Sequence, residues 1–553
     1  MNDFLKAVSN EAYTENGALA YKSTGLVIAD QFGKAGTYRD RTPYDAYLDQ
    51  EKLWDENKEY AIKFPFYLRM ITRKVKKGDG MVTENSQKGQ GARDESFKRF
   101  LWMAERHPDI FYKNLWLLPV VGSWKDLWTL LLMDEEGVLD KDKIFDAISR
   151  GLKGEMCDLV KKYLPQIRAN VKCTTERARK LNALAKEFCH WAGLSYKEYR
   201  EIKASGKAHK FQQFISQEKY DLLNWNTIPG KALLNLISSK FISNHGLADS
   251  YMEWITQTPI AKFNGYPYEL GKKMFNGALR RREYLTTNKM LMMTLDAQFE
   301  NLIRTAKDGR EGIQGNVWCA IDTSGSMEVQ VCSDGTTAYD VCVALGIFFA
   351  TLNEGDFHKN IIMFDSVSRV KQLSGTFSEM YRSIVKSSTA WGSTNFQSVI
   401  DEIVRIRLMH PEISLDSYPQ TLLVVSDMEF DPCEDMEFEN DSVSISLQQT
   451  NYEAAKKKLK ACFPEEWVEQ FKIVWWQVDG EDASSVPSTL EDGGTYFFSG
   501  FDGSVISLLL GGEAKTEEAG EGTEGVKNVV KTMQELIHEV LNQEILQLVD
   551  TKE

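Results

Sequence analysis

The sequence predicts a multidomain protein: an all-α helical solenoid, then an α/β domain, then a C-terminal helix. Three observations support this prediction. Apolar residues recur at spacings of three and four through residues 1–310, short β-rich runs alternate with helical stretches beyond residue 311, and the sign of the net charge reverses between these parts. We therefore expect domains at residues 1–310 and 311–510, followed by a linker and helix at residues 511–553.

The first part has the periodicity of amphipathic helices. Pro and Gly separate the periodic segments, and no strict repeat is present, which is typical of a HEAT-like α-solenoid of irregular helix pairs. Residues 78–93 lack apolar periodicity and predict an exposed, mobile loop. The clearest predicted helical segments are Phe97–Glu105, Ser123–Met133, Met156–Tyr163, Leu181–Trp191 and Lys231–Phe241.

The second part alternates strands with helices, which predicts βα units on a mostly parallel, Rossmann-like sheet. The predicted strands are Asn316–Ile321, Asn360–Phe364, Gln420–Val425, Phe471–Val478 and Thr495–Phe498. The predicted helices are Ala338–Ala350, Phe396–Arg407, Tyr452–Ala461 and Gly503–Leu510.

The C-terminal part begins with residues 511–525, whose composition is that of a flexible linker. An amphipathic helix follows, and its apolar stripe either docks on its own domain or binds a partner. The stripe consists of Val529, Val530, Met533, Leu536, Ile537, Val540 and Leu541.

The formal net charge of −14 combines two opposite parts: +11 for residues 1–310 and −25 for residues 311–553. Positive charge concentrates in two basic windows, residues 63–77 and 161–210. Such clusters attract phosphate, which predicts an RNA-binding surface; the alternative is that these side chains only solvate helix faces. The candidate RNA-binding residues are Lys63, Arg69, Arg73, Lys74, Lys76, Lys77, Lys172, Arg177, Arg179 and Lys180. Four aromatic residues among them, Tyr163, Trp191, Tyr196 and Tyr199, are candidates for stacking on bases, although most are expected in the core.

The segment NVWCAIDTSGSM, residues 316–327, predicts a metal site. A buried strand ends in Asp322, and the loop after it presents Ser324 and Ser326. Thr394 precedes a predicted helix, and Asp427 ends another predicted strand. Because the carboxyl ends of strands in an open α/β sheet line one crevice, these oxygens are expected to meet around Mg²⁺. The alternative is a Ser/Thr-capped helix start and a turn aspartate.

Other function classes find no support in the sequence. Phosphate-binding, zinc-protease and serine-hydrolase motifs are lacking, so we expect no enzyme. The sequence shows neither a transmembrane segment nor a signal peptide, and its eight cysteines form no CxxC pair. A reduced, cytoplasmic protein is the expectation.

These motifs resemble known families. The run DTSGSM with Thr394 and Asp427 resembles the metal-ion-dependent adhesion site of von Willebrand A domains, in which Ser324, Ser326 and Thr394 would touch the metal and Asp322 and Asp427 would bind directly or through water. A basic helical domain before such a domain resembles the TROVE module of Ro ribonucleoproteins, as does VVGSWKDLW at residues 120–128.

Further segments resemble a related plant, viral and phage family that pairs a helical domain with a C-terminal A-like domain. They are WAGLSYKEYREI, WNTIPGKALLNL, GSTNFQSV, VVSDMEFD and SGFDGSVISLLL. One departure is the loop ending in KGQGAR, residues 88–93, where that family often carries an Arg-Gly-Gly-Lys-Gly-Glu-Arg type of segment.

Two functions follow as hypotheses. The first, implied by the Ro resemblance, is an RNA-binding scaffold whose helical domain binds structured or misfolded RNA and whose A domain binds Mg²⁺ and a partner. The second is a metal-dependent protein-interaction module without RNA, which captures an acidic residue of a partner on its Mg²⁺. Neither hypothesis involves DNA or a membrane. The acidic residues 427–441 are further candidates to cover the basic windows, or simply to be solvated.

Overall fold

The structure is a computed structural model. It describes residues 9–39, 41–74, 86–155, 157–169, 173–206, 210–277, 279–307, 312–313, 315–388, 392–433, 435–439, 442–446, 449–479, 485–506 and 531–552. The chain divides into two compact units. Unit 1 comprises Met1–Asp40 and Met252–Val540, and unit 2 comprises Arg41–Tyr251 and Leu541–Glu553. This division differs from the expected domain bounds, because residues 1–40 and 252–310 group with the sheet.

The structure confirms the combination of a helical N-terminal region with a C-terminal α/β sheet. In chain order the helices are α1 (Val27–Lys34), α2 (Pro43–Glu56), α3 (Lys58–Arg69), α4 (Arg93–Arg106), α5 (Pro108–Asn114), α6 (Leu118–Val121), α7 (Lys125–Met133), α8 (Lys141–Lys153), α9 (Cys157–Tyr163), α10 (Glu176–Trp191), α11 (Tyr196–Ala204), α12 (Lys210–Ser216), α13 (Gly230–Ser238), α14 (Phe241–Asn244), α15 (Ala248–Thr256), α16 (Pro267–Gly271), α17 (Lys289–Lys307), α18 (Ala338–Leu352), α19 (Phe377–Ser387), α20 (Gln397–Met409), α21 (Asn451–Lys460), α22 (Glu465–Gln470) and α23 (Met533–Leu541).

The strands are β1 (Glu11–Tyr13), β2 (Leu19–Tyr21), β3 (Arg73–Lys74), β4 (Ser86–Gln87), β5 (Val317–Asp322), β6 (Gln330–Cys332), β7 (Thr336–Thr337), β8 (Asn360–Phe364), β9 (Ser368–Gln372), β10 (Thr421–Ser426), β11 (Asp435–Glu439), β12 (Ser442–Ser446), β13 (Lys472–Gln477) and β14 (Thr495–Ser499). Unit 1 is built on a six-stranded sheet in the order β14-β13-β10-β5-β8-β9. All neighbours pair in parallel except β8 and β9, which pair antiparallel. The carboxyl ends of β5, β8 and β10 therefore lie at one edge of the sheet.

The central strands form where the sequence is continuously apolar, because helices cover both faces of a parallel sheet. All residues of β5 and β10 are buried. Helix α18 lies against β5 and is buried along almost its whole length. At Gly346 an added Cβ would sit 2.3 Å from Ile321 Cγ2, so glycine allows the close approach of helix and strand. These contacts fix the end of β5, from which the candidate site extends.

Helix α3 of unit 2 is buried although it contains a proline. Pro65 cannot donate a backbone hydrogen bond to Ala61 O. The side chain of Gln50 replaces this donor, because its Nε2 donates to Ala61 O at 2.7 Å. Gln50 Oε1 in turn lies 3.3 Å from the fully buried Arg99, which pairs with Glu95 at 2.9 Å. Polar side chains thus satisfy one another inside unit 2.

The expectation of an exposed loop over residues 78–93 is wrong for residues 87–90, which are buried. Gln90 N donates to Tyr67 O, and Gly91 N donates to Met70 O at 2.7 Å. At Gly89 an added Cβ would sit 2.4 Å from Met70 Cβ, so the glycines of KGQGAR let this segment pack against α3. Residues 75–85 lie outside the described residues.

The C-terminal segment belongs to unit 2, where paired amide bonds hold it. Gln543 Nε2 donates to Lys88 O, and Lys88 N donates to Gln543 Oε1, both at 2.9 Å. Asn114 Nδ2 donates to Asp550 O at 2.8 Å, and Asn114 Oδ1 accepts from Asp550 N at 2.7 Å. Ile545, Leu546 and Val549 are buried.

The amphipathic stripe before this segment is also buried: Met533, Leu536, Ile537, Val540 and Leu541 are each at most 3% exposed. Val529, Val530 and the expected linker 511–525 lie outside the described residues.

The predicted strands agree with β5, β8, β10, β13 and β14 to within one residue at each end. Strand β9, with the sequence SRVKQ, was not predicted, because an edge strand carries few apolar residues. The predicted helix Gly503–Leu510 appears as a 3-10 turn over Gly503–Val505, and residues 507–510 lie outside the described residues.

Candidate metal site at the carboxyl ends of the strands

The loop after β5 is organised around the carboxylate of Asp322. Asp322 Oδ1 accepts a hydrogen bond from Ser324 N at 2.9 Å, which turns the chain sharply after the strand. The hydroxyl oxygens of Ser324 and Ser326 lie 3.1 Å apart. Asp322 and Ser324 are buried, whereas Ser326 is exposed. The three predicted side chains of this loop thus form one cluster that opens toward solvent at Ser326.

The loop after β10 joins this cluster. Ser426 Oγ donates to Asp322 Oδ2 at 2.6 Å and lies 3.3 Å from Asp427 Oδ1. Burial raises the pKa of Asp427, and the Ser326 side chain lies near enough to this carboxyl to favour its charged form, which lowers the pKa in part. Asp427 Oδ1 accepts from Glu429 N at 3.2 Å. The carboxylates of Asp322 and Asp427, expected to meet at the sheet edge, are therefore bridged by one serine hydroxyl.

Thr394 lies in a third loop, and backbone hydrogen bonds connect that loop to the other two. Gly325 N donates to Gly392 O at 3.1 Å, and Asp431 N donates to Thr394 O at 2.9 Å. The Thr394 side chain is buried. The structure thus brings all five predicted metal-site residues into three connected loops. Side-chain contacts link four of them, and backbone contacts link Thr394 to the rest.

Gly392 explains why the third loop can approach so closely. A Cβ at this position would sit 2.7 Å from Asp365 Cβ and 2.8 Å from Ser366 N. Asp365, which follows β8, is held by Arg369 through contacts of 2.9 and 3.1 Å. The loop after β8 therefore packs against the Thr394 loop. The carboxylate of Asp365 in this loop is already paired with Arg369.

The electrostatics of the cluster favour a bound cation. Burial raises the pKa of Asp322, and the neighbouring charge of Asp427 raises it further. Burial likewise raises the pKa of Asp427. Among the described residues, no Lys, Arg or His side chain forms an ion pair with either carboxylate. Two buried acids without a cationic partner, surrounded by hydroxyl oxygens, fit a hard divalent ion.

This arrangement differs from a site made of acids, histidines and cysteines alone. Within the described ranges, no group of three or more such side chains is placed to hold a metal. The candidate site instead combines two carboxylates with the hydroxyls of Ser324, Ser326 and Thr394. Hydroxyl oxygens are acceptable ligands for Mg²⁺, which retains several waters in most protein sites.

Several supporting residues were not identified from the sequence. Ser426 directly precedes Asp427 in the run VVSD, and its position at the end of a predicted strand could have identified it as a residue of the site. Gln477 ends the neighbouring strand β13, and its Nε2 donates to Asp427 O at 3.1 Å. Cys342 of α18 lies beneath the site, with its thiol 3.4 Å from Asp322 O and 3.2 Å from Val425 O. These contacts join segments far apart in sequence, which local patterns do not reveal.

The candidate RNA-binding residues fall into three groups. The first requires a correction: Lys63 and Arg69 are buried and paired inside unit 2 instead of exposed. Lys63 Nζ donates to Glu59 at 2.5 Å and to Asn542 Oδ1 at 2.6 Å. Arg69 pairs with Asp126 at 2.6 Å. Burial of these two cations is possible because each has an oxygen partner.

The second group is exposed on α10 of unit 2. Arg177, Arg179 and Lys180 face solvent, and Lys180 pairs with Glu135 at 3.1 Å and Glu176 at 3.4 Å. The third group is not described in side-chain detail. Strand β3 consists of Arg73 and Lys74, of which only the backbone is described. Lys76, Lys77 and Lys172 lie outside the described residues.

The aromatic candidates likewise include both buried and exposed side chains. Tyr199 is fully buried, and its hydroxyl donates to Pro165 O at 2.9 Å, so it belongs to the core. Trp191 and Tyr196 are 37% and 45% exposed, close in sequence to the exposed cations Lys197 and Arg200. This corner between α10 and α11 combines aromatic surface with positive charge.

Comparisons with known proteins give two findings. Residues 317–546 match the family described as a domain of unknown function, DUF7788. The matched region begins at β5 and includes all five candidate metal-site residues. An uncharacterised protein of Acanthamoeba polyphaga mimivirus, L728, is 22% identical over 545 residues, which cover 92% of this chain and 86% of the viral protein. The chain is thus similar to a viral protein over nearly its whole length.

In the described parts of the chain, no helix has the length and apolar character needed to cross a membrane.

Proposed function

We propose that unit 1 contains a von Willebrand A-like module that binds Mg²⁺ and, through the ion, an acidic group of a partner protein. One observation carries the proposal. The buried carboxylates of Asp322 and Asp427 are bridged by Ser426 Oγ and have no cationic partner among the described residues. A divalent ion offsets the repulsion between two such acids.

The strand order supports the same proposal. The sheet is parallel apart from the edge strand β9, and its carboxyl ends carry the loops of Asp322, Thr394 and Asp427. Ligands of open α/β sheets bind at these ends. When Mg²⁺ is bound, Ser324, Ser326 and Thr394 would hold it together with the two carboxylates. The ion supplies a positive charge that attracts a partner carboxylate, and the exposed Ser326 marks the side from which it approaches.

Calorimetric titration of the full chain with Mg²⁺ tests this function. Wild-type protein is expected to bind the ion, and Asp322→Ala is expected to abolish binding while the chain stays folded, because the core of unit 1 does not depend on a metal. Asp356→Asn is the matched control, since Asp356 is exposed on the loop before β8, at the opposite end of that strand. Unchanged affinity in Asp322→Ala would refute the assignment.

We further propose, as a second function, that unit 2 binds structured RNA, as the Ro-like motifs imply. The exposed cations of α10 and the aromatic corner of Trp191 and Tyr196 support this proposal, although Lys63 and Arg69 do not contribute an accessible charge. The acidic sheet-bearing unit is less suited to a polyanion, because like charges repel. RNA and the acidic partner are therefore assigned to different units.

Filter binding of a structured RNA to the full chain, as a function of salt, tests the second function. A logarithmic slope of about −0.7 to −0.9 per contacted phosphate is expected. Arg177→Glu combined with Arg179→Glu is expected to weaken binding for all RNA sequences alike. Lys219→Glu is the matched control, because Lys219 is exposed on unit 2 outside both basic windows. Absence of binding at low salt would exclude this function.

A further inference from the structure

The N-terminal hairpin of unit 1 ends in a turn with a defined shape. Strands β1 and β2 pair antiparallel, and Thr14 to Ala18 connect them. Thr14 N donates to Ala18 O, and Gly17 N donates to Thr14 O, each at 2.9 Å. Gly17 has a φ of 88°, which glycine adopts without strain. The hydroxyl of Thr14 accepts from Ala18 N at 2.9 Å, which orients this side chain.

This turn contacts the loop that follows the candidate ligand Asp427. Thr14 Oγ1 donates to Phe430 O at 2.8 Å. Glu15 N donates to the carboxylate of Glu429. Asn16 Nδ2 donates to Glu429 O at 2.6 Å and lies 3.3 Å from Asp431 Oδ1. Three consecutive residues of the hairpin, 14–16, thus bind three consecutive residues of the loop, 429–431.

The same loop residues touch both parts of the candidate metal site. Glu429 N donates to Asp427 Oδ1, and Asp431 N donates to Thr394 O. Met428 lies between Asp427 and Glu429 in the sequence. Its φ of 65° is a left-handed conformation, which is unfavourable for a residue with a long side chain. Surrounding contacts must hold such a residue in place. The hairpin supplies contacts of this type from a distant part of the sequence.

The hairpin and the segment after it are anchored to unit 1 independently of these contacts. Tyr21 and Val486 exchange backbone hydrogen bonds of 2.9 and 2.7 Å. Farther along, Ser499 Oγ donates to Phe32 O at 2.8 Å. Removing one side chain of the turn therefore leaves the segment attached, so an effect on the loop can be measured separately from the loss of the fold.

We propose that residues 14–16 are positioning residues of the candidate metal site. They hold the 427–431 loop so that Asp427 and the Thr394 loop meet at the ion. The inference rests on the proposed Mg²⁺ binding and extends it to a segment that lies outside the matched residues 317–546. It implies that the metal site is complete only when the N-terminal hairpin is present.

The test is calorimetric Mg²⁺ titration of full-length variants, with the melting temperature of the metal-free protein as a second readout. Asn16→Ala and Thr14→Val are each expected to weaken Mg²⁺ binding by about tenfold, the effect of removing one or two hydrogen bonds. Thr14→Ser keeps the hydroxyl and is expected to retain wild-type affinity. The melting temperatures of the metal-free variants are expected to stay close to that of the wild type.

Asn10→Ala is the matched control, because Asn10 directly precedes β1 and its side chain donates to Ser23 O at 2.9 Å and accepts from Ser23 N at 3.0 Å instead of contacting the 429–431 loop. Its Mg²⁺ affinity is expected to change less than twofold. Wild-type affinity in Asn16→Ala and Thr14→Val, or an equal loss in Asn10→Ala, overturns the positioning role while the metal site stands. A wild-type chain that does not bind Mg²⁺ overturns both.

Discussion

Arg69→Met removes the cation that faces Asp126 inside unit 2, and its effect separates a structural role from an RNA-binding role. Arg69 Nε and Nη2 lie 2.8 and 2.6 Å from Asp126 Oδ2, and the two side chains are only 9% and 2% exposed. Methionine keeps most of the volume of the side chain but leaves the carboxylate buried without its partner. Removal of one member of a buried pair costs about 3–5 kcal/mol.

The local surroundings place the expected loss within this range. Asp126 keeps two other donors, because Ser123 N and Ser123 Oγ lie 2.8 and 3.2 Å from its carboxylate. These bonds compensate part of the negative charge. We therefore expect a loss near the lower end, about 3 kcal/mol in the free energy of unfolding of unit 2. Arg69→Met combined with Asp126→Asn is expected to recover part of this loss, since no buried charge remains.

Urea denaturation followed by circular dichroism measures the loss, and hydrogen–deuterium exchange of α3 and α7 assigns the transition to unit 2. Lys141→Met is the matched control, because Lys141 and Glu187 form a 2.8 Å pair in which both side chains are 47% exposed. An exposed pair contributes about 0–1 kcal/mol. A loss in Arg69→Met no larger than in Lys141→Met would refute the structural assignment of Arg69.

Three further predictions concern other parts of the molecule. Gly392→Ala is expected to weaken Mg²⁺ binding in calorimetry, because the new Cβ would sit 2.7 Å from Asp365 Cβ and displace the Thr394 loop. Asn114→Ala removes both hydrogen bonds to the backbone of Asp550, which is expected to lower the local free energy of unfolding by about 1–3 kcal/mol. Hydrogen exchange in the C-terminal segment is therefore expected to become faster. Burial lowers the pKa of Lys456 to about 8, below its ordinary value of 10.5, so the unfolded chain binds more protons between these values. The unfolding free energy of the wild type is therefore expected to rise with pH from about 8 to 10.5 relative to Lys456→Gln, and an equal pH dependence in both proteins would contradict this reasoning.

The sequence was informative where local pattern and global fold agree. Strands β5 and β10 are continuously apolar and end in Asp322 and just before Asp427. The order of strands and helices, together with the shared carboxyl edge of parallel strands, was therefore enough to predict that the two acids lie close together. The DxSxS spacing correctly placed Ser324 and Ser326 on one loop. Thr394 followed from its position before a helix.

Sequence reasoning could not assign burial to individual charged residues. Lys63 and Arg69 belong to a basic run, yet two of the partners that accompany their burial, Asn542 and Asp126, lie far along the chain. Composition reports the charge of a segment but not which side chains find an acid or amide in the fold. The same limit explains the buried KGQGAR segment, whose glycines read as a loop although they permit close packing.

Contacts over the longest separations were equally inaccessible. The hairpin turn at residues 14–16 meets the loop at 429–431, and Met428 takes a left-handed conformation beside it. Neither segment has a pattern of apolar residues from which a contact with the other segment could be predicted. Only the packed fold shows that the N-terminal hairpin of β1 and β2 and the candidate metal loop form one structure.

Anomalous diffraction from crystals of the full chain grown with Mn²⁺ in place of Mg²⁺ shows whether the Asp322–Asp427 cluster binds a divalent ion. One strong peak is expected at the carboxyl ends of β5 and β10, within coordination distance of oxygens from the Asp322, Ser324 and Ser326 loop. An empty cluster at this position, in a crystal whose Mn²⁺ binds elsewhere on the acidic surface, would contradict this prediction.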